Sequence, residues 1–395
     1  MVLKVVVDAT PVFTKPTGVG FYVANLISSL NALQSQEEFQ LSIAYQPGFK
    51  NWLLGKQTVP NSLSDYSRIH ILPILAKFSD LLFTSTPISD LLLFYLKTYF
   101  EQCFDYPNIL HGTNYSVYPC NNSLKVMNIY DLTFIKYPNY IDSGAKNYTQ
   151  RVKRCLQWTD LVLTISESSK KDIISYLEVA PEKVYVTPLA SRYYSSYLSD
   201  KENIQTLEKQ VSCYDFSKPY LLFVSTLEPR KNINAIISAF NLLKQKYKID
   251  HQLILIGKKG WNYKPIFVDI ENSPWKSQIH HLDYLSDELV ALFYSKADVF
   301  VYPSHYEGFG LPVLEAMTLG APVVSANNSS IPEVAGDAAI LIDPGDFVQL
   351  AEAILKVISD SQLRQELIIK GRERAKLFSW KRTAKETLKA YRAII

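Results

Sequence analysis

Apolar residues fall into short runs that end at a polar residue, a glycine or a proline, separated by stretches where they recur at every third or fourth position. That alternation of strand and helix signals is the mark of an α/β chain. The first set of strand-like runs is Lys4 to Val7, Gln40 to Tyr45, Ile109 to Tyr115, Lys125 to Thr133, Asp160 to Ser166 and Val184 to Thr187. Between them, Asn147 to Trp158 reads as a basic helix, and Ser166 caps a helix over Glu167 to Leu177. From Ser191 to Ser217 the chain turns polar, and the alternation then restarts: strands at Tyr220 to Val224, Gln252 to Gly257, Ile279 to Leu285, Asp298 to Tyr302 and Val323 to Asn327. A helix over Asn232 to Lys246 carries its apolar face at Ile233, Ile236, Ile237, Phe240 and Leu243, and another starts at Asp287-Glu288. The pattern predicts two Rossmann-like open parallel-sheet domains facing across a cleft. The first covers 1–195, a connection 196–217, the second 218–378, and a final helix 379–395 is capped by Ser379.

One stretch of the second half concentrates chemistry. The strand ending at Tyr302-Pro303 is followed by His305-Tyr306-Glu307-Gly308-Phe309-Gly310-Leu311-Pro312-Val313-Leu314-Glu315. Glycines permit a tight turn and close ligand approach, and Pro312 suits a helix's first turn, so the order is strand, glycine turn, helix. The first amides of such a helix have no internal partner, and its dipole favours a phosphate. Glu307 lies before the helix and Glu315 about one turn into it, where carboxylates accept hydrogen bonds from sugar hydroxyls. Taken alone, Glu315 could equally be an acid complementing the helix dipole.

Length and composition narrow the field. At 395 residues the chain exceeds one ordinary core, and 47% hydrophobic with 20% charged residues supplies material for two. Lys and Arg number 41 against 38 Asp and Glu, a net charge of +3, too even to indicate nucleic acid as a partner. The start, Met1 to Asp8, lacks the basic, apolar and small-residue segments of a signal peptide, so a cytoplasmic location is expected. No apolar run is long enough to span a membrane. Ile69 to Phe100 comes nearest and either packs in a core or rests on a membrane surface, the latter making the protein peripheral at the inner face. Cys103, Cys120, Cys155 and Cys213 show no metal spacing and read as free thiols.

Other candidates lie where strands end, the edge at which open parallel sheets bind ligands. They are Gly18 and Gly20 in a glycine loop opening a helix, His111, Tyr130 and Asp131. His111 could instead be a satisfied interior histidine and Asp131 a turn cap. Arg230 and Lys231, at a strand exit beside a helix start, suit a diphosphate better than a solvated turn. The third glycine and distal acid of a dinucleotide fingerprint are missing, which argues against a nicotinamide enzyme.

Glu307-Gly308-Phe309-Gly310-Leu311-Pro312-Val313-Leu314-Glu315-Ala316 closely resembles the donor site of glycosyltransferase family 4, retaining enzymes of the GT-B fold. Ser225 to Asn232, Gly257 to Trp261, Tyr284 to Leu289, Ala297 to Ser304 and Pro332 to Ala339 resemble the family too, as do, more loosely, Thr17 to Gly20, His111 to Tyr115 and Asp131 to Phe134. The resemblance implies Glu315 on the ribose, Glu307 on the transferred sugar, Lys231 on the diphosphate, and the amides of Phe309, Gly310 and Leu311 as a cradle. It also puts Gly18 and Gly20 in a closing loop, Leu285 near the base, and His111, Tyr130 and Asp131 on the acceptor or sugar side. Two positions depart: Thr226 stands where the family often has an arginine, leaving Arg230 to supply that charge, and Tyr130 where it commonly has a histidine.

The implied reaction moves a hexose from a nucleotide diphosphate sugar to a hydroxyl of a glycan or lipid-linked acceptor. Configuration is retained, with no cofactor and no metal. The variants look most like the branch using GDP-mannose, with UDP-glucose the other donor. A nucleotide-sugar-binding subunit without turnover, or epimerisation of a UDP-sugar, are the rival readings.

Overall fold

A computed structural model of the chain describes residues 2–12, 18–47, 59–72, 96–140, 148–198, 201–211 and 214–395, the side chains of 201–203 excepted. Thr17, Cys213 and most of the Ile69 to Phe100 stretch, residues 73–95, lie outside the described residues. The chain divides into two compact units. One comprises Met1–Pro138, Ser143–Leu189 and Trp380–Ile395, the other Asn139–Asp142 and Ala190–Ser379.

The first unit holds a seven-stranded parallel sheet of β1 (Leu3–Asp8), β2 (Phe39–Tyr45), β3 (Ile69–Ile71), β4 (Ile109–Gly112), β5 (Leu124–Asn128), β6 (Leu161–Thr164) and β7 (Val184–Val186). Their order is β3-β2-β1-β4-β5-β6-β7, so the chain fills the sheet outward from β1 to β3 and then crosses to the other side of β1 at β4. Val5, Val6 and Val7 are all buried, as a strand covered on both faces requires. The Gly18–Glu37 helix buries Tyr22, Val23, Leu26, Ile27, Leu30 and Leu33. Gly18 and Gly20, expected in a loop, are already helical here. Against this helix lies Trp380–Arg392, where Trp380 meets Phe21 edge-on with ring centres 5.7 Å apart. Thr383 donates to the Pro188 carbonyl at 2.6 Å.

The second unit carries a six-stranded parallel sheet of β8 (Tyr220–Val224), β9 (Gln252–Ile256), β10 (Ile279–Leu282), β11 (Val299–Tyr302), β12 (Val323–Ala326) and β13 (Ala339–Ile342), in the order β10-β9-β8-β11-β12-β13. β8 is the switch point: the chain fills one side through β9 and β10, then crosses to β11. The expected helix after β8 runs Ile233–Leu242, and its face Ile233, Ile236, Ile237, Phe240 and Leu243 is buried throughout. Polar composition at 196–217 did not preclude structure, because Lys201–Gln210 is a helix. Leu311–Leu319 follows β11 and buries every residue from Val313 to Leu319.

Candidate active site

The site in the second unit forms where the loops leaving β8 and β11 meet, on either side of the switch point. His305 N and Ser304 Oγ donate to the Arg230 carbonyl at 2.9 and 3.1 Å, and Asn232 Nδ2 donates to the Pro303 carbonyl at 3.1 Å. Asn232 takes a left-handed conformation, φ 58°, which lets the chain turn from the Pro229–Lys231 3-10 turn straight into its helix.

This stitching brings Lys231 to Glu307. Lys231 Nζ lies 2.6 Å from Glu307 Oε1 and donates to Tyr302 Oη at 2.7 Å, while Tyr302 Oη donates to the same carboxylate oxygen at 2.9 Å. Arg230 Nη1 stands 3.3 Å from Glu307 Oε2 and donates to the Tyr306 carbonyl at 2.7 Å; its Nη2 pairs with Glu228 at 2.6 Å. Glu307 N donates to Ser329 Oγ at 3.0 Å, and Ser330 Oγ to the Glu307 carbonyl at 2.9 Å. Burial pushes the Glu307 carboxyl up, but Lys231, Arg230 and hydrogen bonds from Lys231 and Ser304 outweigh it and hold the pKa at about 2. Burial, then Arg230, lowers the Lys231 ammonium, against the opposing pull of Glu307 and Glu228.

Gly310 caps the Leu311–Leu319 helix at φ 101°, a conformation open to glycine, and a Cβ there would sit 2.6 Å from Ile331 Cδ1. Among the described residues, the amides of Phe309, Gly310 and Leu311 find no acceptor. They are orphan donors at a positive helix end, disposed to take an anion. Phe309 is buried with its ring edge against Phe378, which holds the turn in place. Glu315, one turn into the helix, is 3% exposed, an interior acid rather than a solvated one. It pairs with Arg192 Nε at 2.7 Å and receives Tyr294 Oη at 3.5 Å. Thr226 is exposed on the β8 exit loop, and Leu285 half-buried just past β10.

The remaining candidates belong to the first unit. His111 is fully buried on β4; Nε2 donates to Asn128 Oδ1 and Nδ1 accepts from Tyr391 Oη at 2.6 Å, a pairing that fixes the tautomer. Burial drives its pKa down to about 4. It is an interior histidine with both ring nitrogens partnered. Tyr130 is buried, donating its hydroxyl to the Thr113 carbonyl, and burial raises that phenol well above its ordinary value. Asp131 Oδ1 accepts from Thr133 N at 2.9 Å, the turn-capping arrangement. Gly20 is buried in its helix and Gly18 exposed at the helix start.

Tyr302 and Arg192 were not anticipated, whereas Ser329 and Ser330 belong to a loop, Asn328 to Glu333, expected at the ligand-facing edge without an assigned role. Tyr302 could have been found as the last strand residue before the motif, whereas Arg192 is remote in sequence from everything it touches.

Two parallel-sheet α/β units, one with a cation pair, an acid and a glycine-capped helix start at its switch point, define a glycosyltransferase of the GT-B fold. A sucrose-phosphate synthase structure from Thermosynechococcus elongatus superposes with TM-score 0.73 at 18% identity, covering 99% of this chain and 98% of that one. The chain belongs to the family described as "Glycosyl transferases group 1", whose model matches residues 205–374. The "O-antigen chain mannosyltransferase B" of Escherichia coli is 34% identical over 72% of this chain and 74% of its own length. A serotype-specific mannosyltransferase of the same organism is 28% identical over 60% of this chain, which spans 29% of that longer protein. Among the described residues no helix is long and apolar enough to cross a membrane, and no group of His, Cys, Asp and Glu is placed to hold a metal ion.

Proposed function

We propose that this glycosyltransferase moves mannose from GDP-mannose to a hydroxyl of a glycan or lipid-linked acceptor, retaining the anomeric configuration and using no metal. The observation that carries the reading is the Lys231–Glu307 pair, 2.6 Å apart at the mouth of a helix where the amides of Phe309, Gly310 and Leu311 find no acceptor among the described residues. Mannose is favoured because the relatives at 34% and 28% identity are mannosyltransferases. In this reading Lys231, Arg230 and the amides of Phe309, Gly310 and Leu311 take the diphosphate. Glu315 takes the ribose, Leu285 lies near the base, and Glu307 positions the mannose.

The bond between the anomeric carbon and the phosphate oxygen breaks, its electron pair leaving with GDP. An acceptor oxygen bonds to that carbon on the same face, and its proton passes to the departing phosphate oxygen. Cations and amides already fixed in place stabilise the charge growing on the diphosphate, the largest contribution expected of the protein. Glu307, ionised at neutral pH, balances positive charge developing on the sugar. Calorimetric titration with GDP-mannose, UDP-glucose, GDP and UDP tests the donor, and GDP release dependent on an added mannan or lipid-linked glycan tests turnover. Preference for UDP-glucose would replace the donor, and binding without acceptor-dependent release would make the protein a non-catalytic binding subunit.

A further inference from the structure

Arg192 lies in the segment just past β7, and no part of the reaction above employs it. Its guanidinium grips two acids at once: Nε meets Glu315 Oε1 at 2.7 Å and Nη1 meets Asp287 Oδ1 at 2.9 Å. Asp287 opens the Asp287–Lys296 helix that follows β10, and Glu315 lies in the helix that follows β11. The arginine therefore ties together the helices that follow β10 and β11. Its neighbour Tyr193 is buried, with its ring 6.3 Å from that of Tyr294, and anchors the segment.

We infer that Arg192 is a positioning residue for the nucleotide: it holds one oxygen of Glu315 so that the second accepts hydrogen bonds from the ribose hydroxyls. The inference rests on the assignment of Glu315 to the ribose made above. Without Arg192, a carboxylate buried to 3% exposure would be held by the 3.5 Å bond from Tyr294 and would more readily rotate or take up a proton, and either change removes an acceptor from the site. The groups facing Glu315 are Arg192, Asp287, Tyr294 and Tyr193. Burial raises the Glu315 carboxyl and Asp287 raises it further, while Arg192 and the Tyr294 hydrogen bond work the other way. In return Glu315, ahead of Tyr193 and Asp287, holds the guanidinium above its ordinary value, and the Tyr193 phenol is raised by burial and then by Glu315. Arg192 is thus the one cation among these neighbours.

The test is titration of GDP, with UDP as the second probe, into the full chain and its variants between pH 5.5 and 8, together with donor kinetics. Arg192→Met should raise the nucleotide Kd roughly tenfold and the donor KM with it, leaving kcat at saturating donor within about twofold. It should also move upward the pH below which binding weakens. Arg192→Lys should recover part of the affinity, and Arg192→Met should add nothing in a Glu315→Gln background. Should Arg192→Met fail to fold, Arg192→Lys and Arg192→Gln carry the same comparison, with thermal melts as the control.

Unchanged affinity overturns the inference, as do tighter binding, which would make Arg192 a latch competing with the ribose, and additive losses in the double variant. If the wild type binds and Glu315→Gln binds equally well, the ribose assignment falls. If the wild type binds neither nucleotide, the proposed function falls and the inference with it.

Discussion

Lys231 and Glu307, 76 residues apart in sequence, share an ion pair of 2.6 Å in the interior of the second unit, with Tyr302 bonded to both. The lysine proposed for the diphosphate is thus paired with the acid proposed for the sugar.

That pairing makes stability depend on acid. The Glu307 pKa is depressed from 4.5 to about 2 in the folded chain, so its contribution is complete above 4.5 and is lost as pH falls toward 2. Lys231→Met should cost about 2–3 kcal/mol at pH 7, since it leaves a buried carboxylate with Arg230 as its remaining cation. It should also flatten the acid dependence. Denaturant midpoints measured from pH 6 to pH 2.5 check both, and an unchanged slope would count against the pair.

The two acids should separate in kinetics. Glu307→Ala should lower kcat about a hundredfold or more while changing nucleotide affinity by less than roughly threefold. Glu315→Gln should instead weaken nucleotide binding about tenfold, with kcat at saturation largely kept. Because burial raises the Glu315 carboxyl above its ordinary value, donor binding should weaken as pH falls while the Glu307 ion pair still stands. Equal losses of kcat and affinity in Glu307→Ala would contradict the division.

Gly310→Ala places a Cβ against Ile331 in a backbone conformation that alanine rarely adopts. A loss of about 1–2 kcal/mol in stability is expected, with weaker nucleotide binding as the helix start shifts. Ile331→Val paired with it relieves the contact but not the φ, so the double variant should recover only part of the stability.

In the first unit, the His111 pKa falls from 6.5 to about 4 on folding, and the unfolded chain binds the extra proton in between. Stability is therefore full above 6.5 and declines as pH drops toward 4, by a total of about 3 kcal/mol. Tyr391→Phe removes the donor to Nδ1 and should cost about 1–2 kcal/mol, with no change in GDP affinity. Thermal melts across that range, beside a GDP titration, measure the effect.

Much of this was legible in the sequence because it is local. The face of Ile233, Ile236, Ile237, Phe240 and Leu243 follows helical periodicity, and the strand, glycine turn and helix around Gly310 are written within a few residues. Glu307 and Glu315 could be placed for that reason. What escaped depends on contacts between distant segments. Arg192 sits in a polar stretch that resembles a linker, and its partners lie 95 and 123 residues away. Ser329 and Ser330 lie in a loop whose place at the strand edge was legible, but their bonds to Glu307, 22 and 23 residues away, were not. Gly18 and Gly20 misled in the opposite direction: spacing suggested a loop, yet the helix's run of buried residues carries it back through both glycines. For His111, position at a strand end could not reveal that Tyr391, 280 residues downstream, fills its second nitrogen.

That last contact bears on how the chain is born. Tyr391 and Thr383 complete the packing of the first unit, and Arg392 pairs with Glu37 across 355 residues. A ribosome that has delivered β1 to β7 has not yet delivered the segment that covers them. The first unit must therefore wait until Trp380–Ile395 has been translated before its architecture closes, whereas the Ala190–Ser379 stretch of the second unit emerges before that segment.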